Sequence, residues 1–482
     1  VLKEVMKFWF CILFFWGVIH PFTTSAQVVE QDSTTITSTI KKDSIHYTIG
    51  NIVLTGNKRT KSYIVFREVP FKKGDTVTPN QLTEQLELAR QQIMNTTLFV
   101  DVAVYATNIQ DNTANINIDV KERWYLFPLP YFKLIDRNFN QWWFDQKRSL
   151  DRVNYGLKFF HNNVSGRNDK VSLDVVSGYN RQIALNYSQP FSDKTLKHGF
   201  SFGFSYNQQR EMNFATLNNK QAFFKLDNAF VRTSTRIGGS YSYRPDSRYR
   251  FYATLTYAKD VVNDTILKLN PNYFPSTNSN SLGYFAFVNS LQYYGVDYIP
   301  FPKKGFMYEI NFYHRGFRKD FNITSLSLET TNAITLNKSS FVQFHNYGIF
   351  RFGQQQPFYN MGLLGYGDTY LRGMENYVID GTAGFLSNTT LYQKLFTYVF
   401  KSPIKSKSHD KIPFSFYLKV FGDLGYVHNA QPTLTNNFPN KLLRTAGIGL
   451  DIVSIYDFVF RIEYSFNQFG DRGFGVRARG DF

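Results

Sequence analysis

The side chains best placed to do chemistry lie in two short stretches. The first, Gly365 to Tyr377, reads GYGDTYLRGMENY and centres on Leu371-Arg372-Gly373-Met374, one cation between two apolar residues in a turn-prone, glycine-rich run. The second, Phe421-Gly422-Asp423-Leu424-Gly425, sets a carboxylate in a strand-like run. In a partly enclosed, desolvated space an arginine needs a carboxylate, and the planar guanidinium matches one bidentately. An Arg372–Asp423 pair would therefore lock a long loop in one pose. The other reading leaves Arg372 as a solvated loop cation and Asp423 as a polar strand residue.

Catalytic constellations do not emerge elsewhere. The eight histidines show no metal-ligand spacing. There is no G-x-S-x-G elbow and no P-loop. Gly447-Ile448-Gly449 and Gly473-Phe474-Gly475 lack the third glycine of a nucleotide turn, and read as places where a strand bends or a backbone passes closely. Buried acid–base chemistry needs convergent titratable groups. The expectation is a protein that is not an enzyme and uses no metal, nucleotide or cofactor.

A lock of this kind needs an enclosure, and composition bears on what builds it. Of 482 residues, 18% are aromatic, with 49 Phe and 32 Tyr, which suits strands and membrane-interface belts better than a helical enzyme. Mean hydropathy is −0.32, and after residue 20 no apolar run approaches the ~20 residues of a spanning helix. The net charge of +17 raises nucleic acid or an anionic membrane surface as partner. The cations are spread along the chain and often alternate with apolar residues, which favours a polar lumen and lipid-facing loops over a nucleic-acid groove.

In chain order, residues 1–27 read as a secretory signal: Lys3 and Lys7, an apolar core from Phe8 to Ile19, then Thr24-Ser25-Ala26. Cys11, the only cysteine, lies in that core, so a processed chain has no disulfide. Residues 28–45 are polar and Ser/Thr-rich, a flexible linker. Residues 46–123 read as strand–helix–helix–strand–strand, with Thr60 capping a short helix and Pro79 opening a second whose apolar stripe is Leu82, Leu86, Ala89 and Ile93. From Trp124 to Phe482 strand-length segments alternate with period two. In the last, Phe474, Val476, Ala478, Gly480 and Phe482 share one face, while Arg477, Arg479 and Asp481 share the other.

About sixteen strands are expected there, starting near 124, 152, 169, 181, 199, 231, 247, 281, 305, 322, 339, 381, 413, 442, 456 and 473, an even number as a membrane barrel requires. The long connections 135–151, 209–230, 262–280, 353–380 and 429–440 then fall on one side. Short turns such as Arg244-Pro245-Asp246-Ser247 fall on the other. The long basic connection Lys401 to Lys411 is the exception.

The small module resembles the POTRA domain of the Omp85 family through Gly56-Asn57-Lys58-Arg59-Thr60, Gly74-Asp75, Leu82 and Thr97-Leu98-Phe99-Val100-Asp101-Val102. In that family a loop with an R-G pair enters the barrel and meets an F-x-D-x-G strand. Leu371-Arg372-Gly373-Met374 and Phe421-Gly422-Asp423-Leu424-Gly425 are similar to these, as is the turn Phe301-Pro302-Lys303-Lys304-Gly305. Two departures stand out. Thr390 replaces a glutamate that the family places near the loop arginine, and Met374 replaces an aromatic. The lock is then expected to rest on one carboxylate.

The fold implied is mainly β, a transmembrane antiparallel barrel at 124–482 preceded by one small α+β POTRA domain at 46–123. The resemblance implies an outer membrane of the Gram-negative type, with the POTRA domain in the periplasm. The implied function is insertion or translocation of unfolded outer-membrane or secreted client proteins, with outer-membrane lipids and accessory lipoproteins as partners and no nucleic acid. The barrel seam, Trp124 to Leu134 against Gly473 to Phe482, would open, weakened by Gly475 and Gly480. A secretion pore for one passenger, and a passive pore or receptor, are the rival readings.

Overall fold

The computed structural model describes residues 46–134, 152–275, 279–318, 320–352, 356–402, 410–432 and 435–479. The expected signal and linker, the connection 135–151, Gly480 and Phe482 lie outside the described residues.

The α+β module runs β1 Tyr47–Thr55, α1 Ser62–Phe66, β2 Thr76–Val77, α2 Pro79–Met94, β3 Phe99–Gln110 and β4 Thr113–Glu122. Its sheet has the order β2-β1-β4-β3, with β1 and β4 parallel, so the expected order is corrected by one added strand, the two-residue β2. A strand this short has too few residues to show an alternation. The β3–β4 hairpin turns at Asp111 and Asn112, both at positive φ, the geometry a two-residue hairpin loop of this hand demands. Helix α2 starts with a capping box in which Thr78 accepts from the Gln81 amide and Gln81 accepts from the Thr78 amide. It buries Leu82, Ala89 and Ile93 against Ile49, Ile116 and Ile118.

Thr60 does not cap α1. Lys61 holds the N-cap position without a side-chain bond, and Thr60 is buried, its hydroxyl bonded to Tyr125 Oη and Asn163 Nδ2. Partners remote in sequence outcompete the local cap.

The barrel strands begin with β5 Leu126–Leu134, β6 Val153–Asn162, β7 Lys170–Gly178, β8 Arg181–Gln189 and β9 His198–Gln209. A side hairpin, β10 Glu211–Leu217 and β11 Lys220–Lys225, follows. Next come β12 Arg232–Tyr243, β13 Tyr249–Val262, β14 Ser281–Val296, β15 Gly305–Arg318, β16 Phe321–Thr335 and β17 Ser340–Phe352. A small ladder, β18 Gly362–Leu364 with β19 Ile379–Asp380, precedes β20 Ala383–Lys401, β21 Lys411–His428, β22 Leu443–Val453, β23 Val459–Asn467 and β24 Arg472–Arg479.

Sixteen of these make one antiparallel sheet from β5 to β24 in chain order, skipping the two side ladders. The sheet rolls until its ends approach: Trp124 N donates to Tyr456 Oη at 2.9 Å, and the Phe127 and Tyr456 rings meet edge-on. One register row shows its polarity. Leu391, Val420, Ile448, Tyr464 and Phe474 lie opposite one another across five strands, and Val420, Ile448 and Phe474 are exposed. One step along β21, Lys419 lies on the buried side in a row with Gly449 and Glu463. Apolar outside and charged inside is the membrane-barrel pattern. Among the described residues no helix is long and apolar enough to cross a membrane.

The α+β module sits on one end of this sheet, against its short turns. Arg123 makes two bonds of 2.9 Å to the Asp457 carboxylate in the β22–β23 turn. Asn95 Nδ2 donates to Val296 O, and Arg67 Nε donates to Leu196 O. Glu68 bridges Arg67 and Arg244, and both guanidinium groups lie over the Phe191 ring. Burial pushes the Arg244 guanidinium down to about 10.

Candidate functional site: a loop held inside the barrel

The loop between β17 and β20 folds into the lumen rather than away from it. At its base Arg351 donates to the carbonyls of Asn360, Gly362 and Gly381, clamping both limbs. The side chains of Leu371 and Met374 are buried with Leu364, Ile379, Val427, Phe438 and Leu443. That apolar anchor aims the residue between them at the barrel wall.

Arg372 meets Asp423 there. Arg372 Nε donates to both Asp423 oxygens at 2.9 and 3.2 Å, Nη2 donates to Oδ1, and the backbone N–H of Arg372 donates to Oδ2 at 2.9 Å. The guanidinium carbon lies 4.0 Å from the centroid of the Phe421 ring. Three residues of the F-G-D-L-G run thus have a job. Phe421 supports the cation and Asp423 neutralises it. Gly425 leaves the space Leu371 occupies, since a Cβ there would come within 2.7 Å of Leu371 Cδ1. In the loop, Gly373 takes φ +89° against Ser465, a conformation that costs a β-carbon strain. Asn467 Nδ2 donates to the Gly373 carbonyl.

Thr390, at the position of the missing acid, accepts from Arg372 Nη1 at 2.9 Å. The expectation of a single carboxylate is corrected: Glu463, on β23, lies 3.9 Å from Arg372 Nη1. Glu463 is also a hub, 2.7 Å from Lys419 Nζ and 3.3 Å from Arg477. Lys419 also pairs with Asp451, which faces Arg461, and Arg477 reaches Glu375 of the loop at 2.6 Å. The cluster alternates sign through Asp423, Arg372, Glu463, Lys419, Asp451 and Arg461, so each of these six charges faces one of opposite sign, as desolvation demands.

Lys419, Asp451 and Glu463 were not singled out in the sequence. The signal was present, a charge between apolar neighbours in each of three strands, as in Leu418-Lys419-Val420. Which charges meet depends on register, which alternation does not specify. Register also explains two glycines. A Cβ on Gly447 would come within 2.4 Å of the Phe421 ring, and one on Gly449 within 2.9 Å of Lys419 Cε.

Of the other singled-out residues, Gly475 borders this cluster, while those of the α+β module lie apart from it. Gly475 is opposite Glu463, on the lumen parity of β24. Gly56, at φ +89°, packs on the Val120 carbonyl, and Asn57 Nδ2 donates to Thr60 O. Gly74, at φ +93°, donates to Ile49 O, and Asp75 accepts from Lys72 N. Phe99 is wholly buried in the module core. Among the described residues no group of His, Cys, Asp and Glu is arranged to hold a metal ion.

A lumen loop fixed to the wall of a sixteen-stranded barrel, behind a small α+β module, defines a class of barrel protein, and the comparisons agree on its parts. Residues 47–123 match the POTRA family, described as a surface antigen variable number repeat. BamA from Haemophilus ducreyi lacking POTRA domains 1–3 is similar over 90% of this chain and 84% of that one, with 15% identity and a TM-score of 0.50. CdiB from Acinetobacter baumannii is matched over 90% and 73% of the respective chains, with 14% identity and a TM-score of 0.48. No curated protein matches in sequence. The chain thus has the fold of an Omp85-type barrel carrying a POTRA domain.

Proposed function

We propose that the protein is an outer-membrane insertion or translocation factor of the Omp85 type, with its POTRA domain in the periplasm, acting on unfolded outer-membrane or secreted clients without nucleotide or cofactor. The observation that carries this reading is the loop held in the lumen by Arg372 and Asp423, behind a POTRA domain fixed to the barrel turns. A solute pore has no need of a client-binding module on its inner end.

Two features supply a route for a client strand. In the POTRA sheet β3 is an edge strand, with Tyr105 and Ile109 exposed, where an extended chain can add by backbone pairing. In the barrel no rung joins β5 to β24 among the described residues. Pro128 and Pro130 of β5 share one parity, and proline fits a sheet where its missing N–H faces an unpaired edge. The seam edge of β5 therefore lacks two donors, which favours parting of β5 from β24.

The test is depletion of the protein followed by proteomics of the outer membrane. Loss of many barrel proteins, with any accessory lipoproteins co-purifying, supports assembly. Loss of a single exported passenger identifies dedicated secretion instead. Unchanged composition together with a defect in uptake of one solute would refute both.

A further inference from the structure

The two longest strands overshoot their neighbours. β20 has 19 residues and β21 has 18. The last rung of β20 to β17 is Gln393–Ser340, and that of β21 to β22 is Ser415–Val453. Past these rungs, residues 394–401 and 411–414 continue as a two-stranded ribbon that no third strand pairs among the described residues. Residues 394–401 alone span about 26 Å at ~3.3 Å per residue. The ribbon emerges at the POTRA end, where Lys394 N donates to Ser339 O and Ser454 Oγ to Pro413 O.

A β-bulge between Lys394 and Phe396 shifts the pairing. Before it, Leu391 and Gln393 lie opposite Val420 and Leu418 on the outward face. After it, the even-numbered residues take that face, because one inserted residue flips every side chain that follows. The rungs Phe396–Phe416, Tyr398–Phe414 and Phe400–Ile412 then line up as one apolar face. Thr397–Ser415, Val399–Pro413 and Lys401–Lys411 alternate on the other. Phe396, Tyr398 and Phe400 are 54%, 58% and 41% exposed. Since Phe416, Phe414 and Ile412 keep the parity of Leu418 and Val420, the apolar face continues the lipid-facing wall of the barrel. Lys401 directly opposite Lys411 is a like-charge rung, unfavourable in a ladder unless an anion lies close.

We propose that this ribbon is a lipid-binding paddle, its aromatic face seated in the interface of the periplasmic leaflet and Lys401 and Lys411 reaching anionic phospholipid headgroups. Continuity with the lipid-facing wall favours lipid over a protein occupant, aromatic rings suit the interfacial depth, and long lysines reach headgroups from a ribbon beside them. The inference rests on the reading of the chain as a membrane barrel with POTRA at the periplasmic end.

The test uses the full chain in a Cys11→Ser background, reconstituted in phosphatidylethanolamine vesicles containing phosphatidylglycerol. Nitroxide labels are placed through Tyr398→Cys, Phe414→Cys, Thr397→Cys and Ser415→Cys, with Val420→Cys on the wall as reference. Collision with oxygen is compared with collision with a water-soluble nickel chelate. The expected result is an oxygen-to-nickel ratio several-fold higher at 398 and 414 than at 397 and 415, reduced by Lys401→Glu with Lys411→Glu. Oxygen preference at 420 with nickel preference at 398 and 414 would overturn the paddle alone. Nickel preference at 420 would overturn the membrane-barrel reading with it. Spin–spin broadening between copies at 398 would identify a second chain as the occupant and equally overturn the proposal.

Discussion

Replacing Asp423 with alanine is the most direct perturbation of the lumen loop. Asp423 is 1% exposed and the Arg372 side chain 11%, so the substitution strands a cation in a space that water barely reaches. Removing one partner of a buried pair costs about 3–5 kcal/mol, because the remaining charge is left desolvated. Here the lower end applies. Glu463 remains 3.9 Å away, Thr390 still accepts from Nη1, and the Phe421 ring still lies under the guanidinium. A loss of about 3 kcal/mol raises the open population of the loop by roughly two powers of ten, at ~1.4 kcal/mol per tenfold.

Amide hydrogen exchange on the reconstituted protein reads this locally. The loop amides of Gly365, Met374, Tyr377 and Val378 are all hydrogen-bonded to carbonyls. They should lose about a hundredfold of protection, while the β17 and β20 amides keep theirs. Glu463→Gln should open the loop less, since its contact with Arg372 is the longer one. Unchanged protection over 365–378 in Asp423→Ala, with the barrel still heat-modifiable, would refute the lock.

Two further predictions concern the POTRA domain. Gly56→Ala places a Cβ 1.9 Å from the Val120 carbonyl at φ +89°. It should lower the stability of residues 46–123 by at least about 2 kcal/mol, from left-handed backbone strain plus overpacking. The readout is faster proteolysis of that domain with the barrel intact, and equal digestion rates would count against it. Asp457→Ala leaves Arg123, a 6% exposed side chain, without its carboxylate at the junction with β5. At about 3–5 kcal/mol for a broken buried pair, protease cutting should appear between Glu122 and Leu126. A junction that stays resistant would show that the other turn contacts hold the domain unaided.

Much of the architecture could be read from residue order alone, for a physical reason. A strand with one face in lipid and one in a polar lumen must alternate, and alternation is a local property. All sixteen barrel strands begin within three residues of the starts expected from it. The POTRA helix at Pro79 and the Asp111-Asn112 turn were legible on the same ground, because capping and turn chemistry involve neighbours in sequence. Thr60 was misread where a distant hydroxyl and amide displaced the local cap, and β2 where two residues are too few to carry a pattern.

The lock divides along the same line. The residue types and order of Leu371-Arg372-Gly373-Met374 and Phe421-Gly422-Asp423-Leu424-Gly425 designated a cation and a carboxylate, and the tertiary structure brings the two together. Only register could show that Glu463 supplies a second carboxylate, that it shares this role with Lys419 and Arg477, and that Gly447 and Gly449 make room for the side chains between them. Register also decided the β20–β21 ribbon. The basic connection from Lys401 to Lys411 had no explanation in the sequence, since a single bulge at Leu395 turns Phe396, Tyr398 and Phe400 onto the face that Phe416, Phe414 and Ile412 already present. Charge, alternation and turn chemistry are written locally, whereas the pairing of strands fixes which charges meet and which aromatics face lipid.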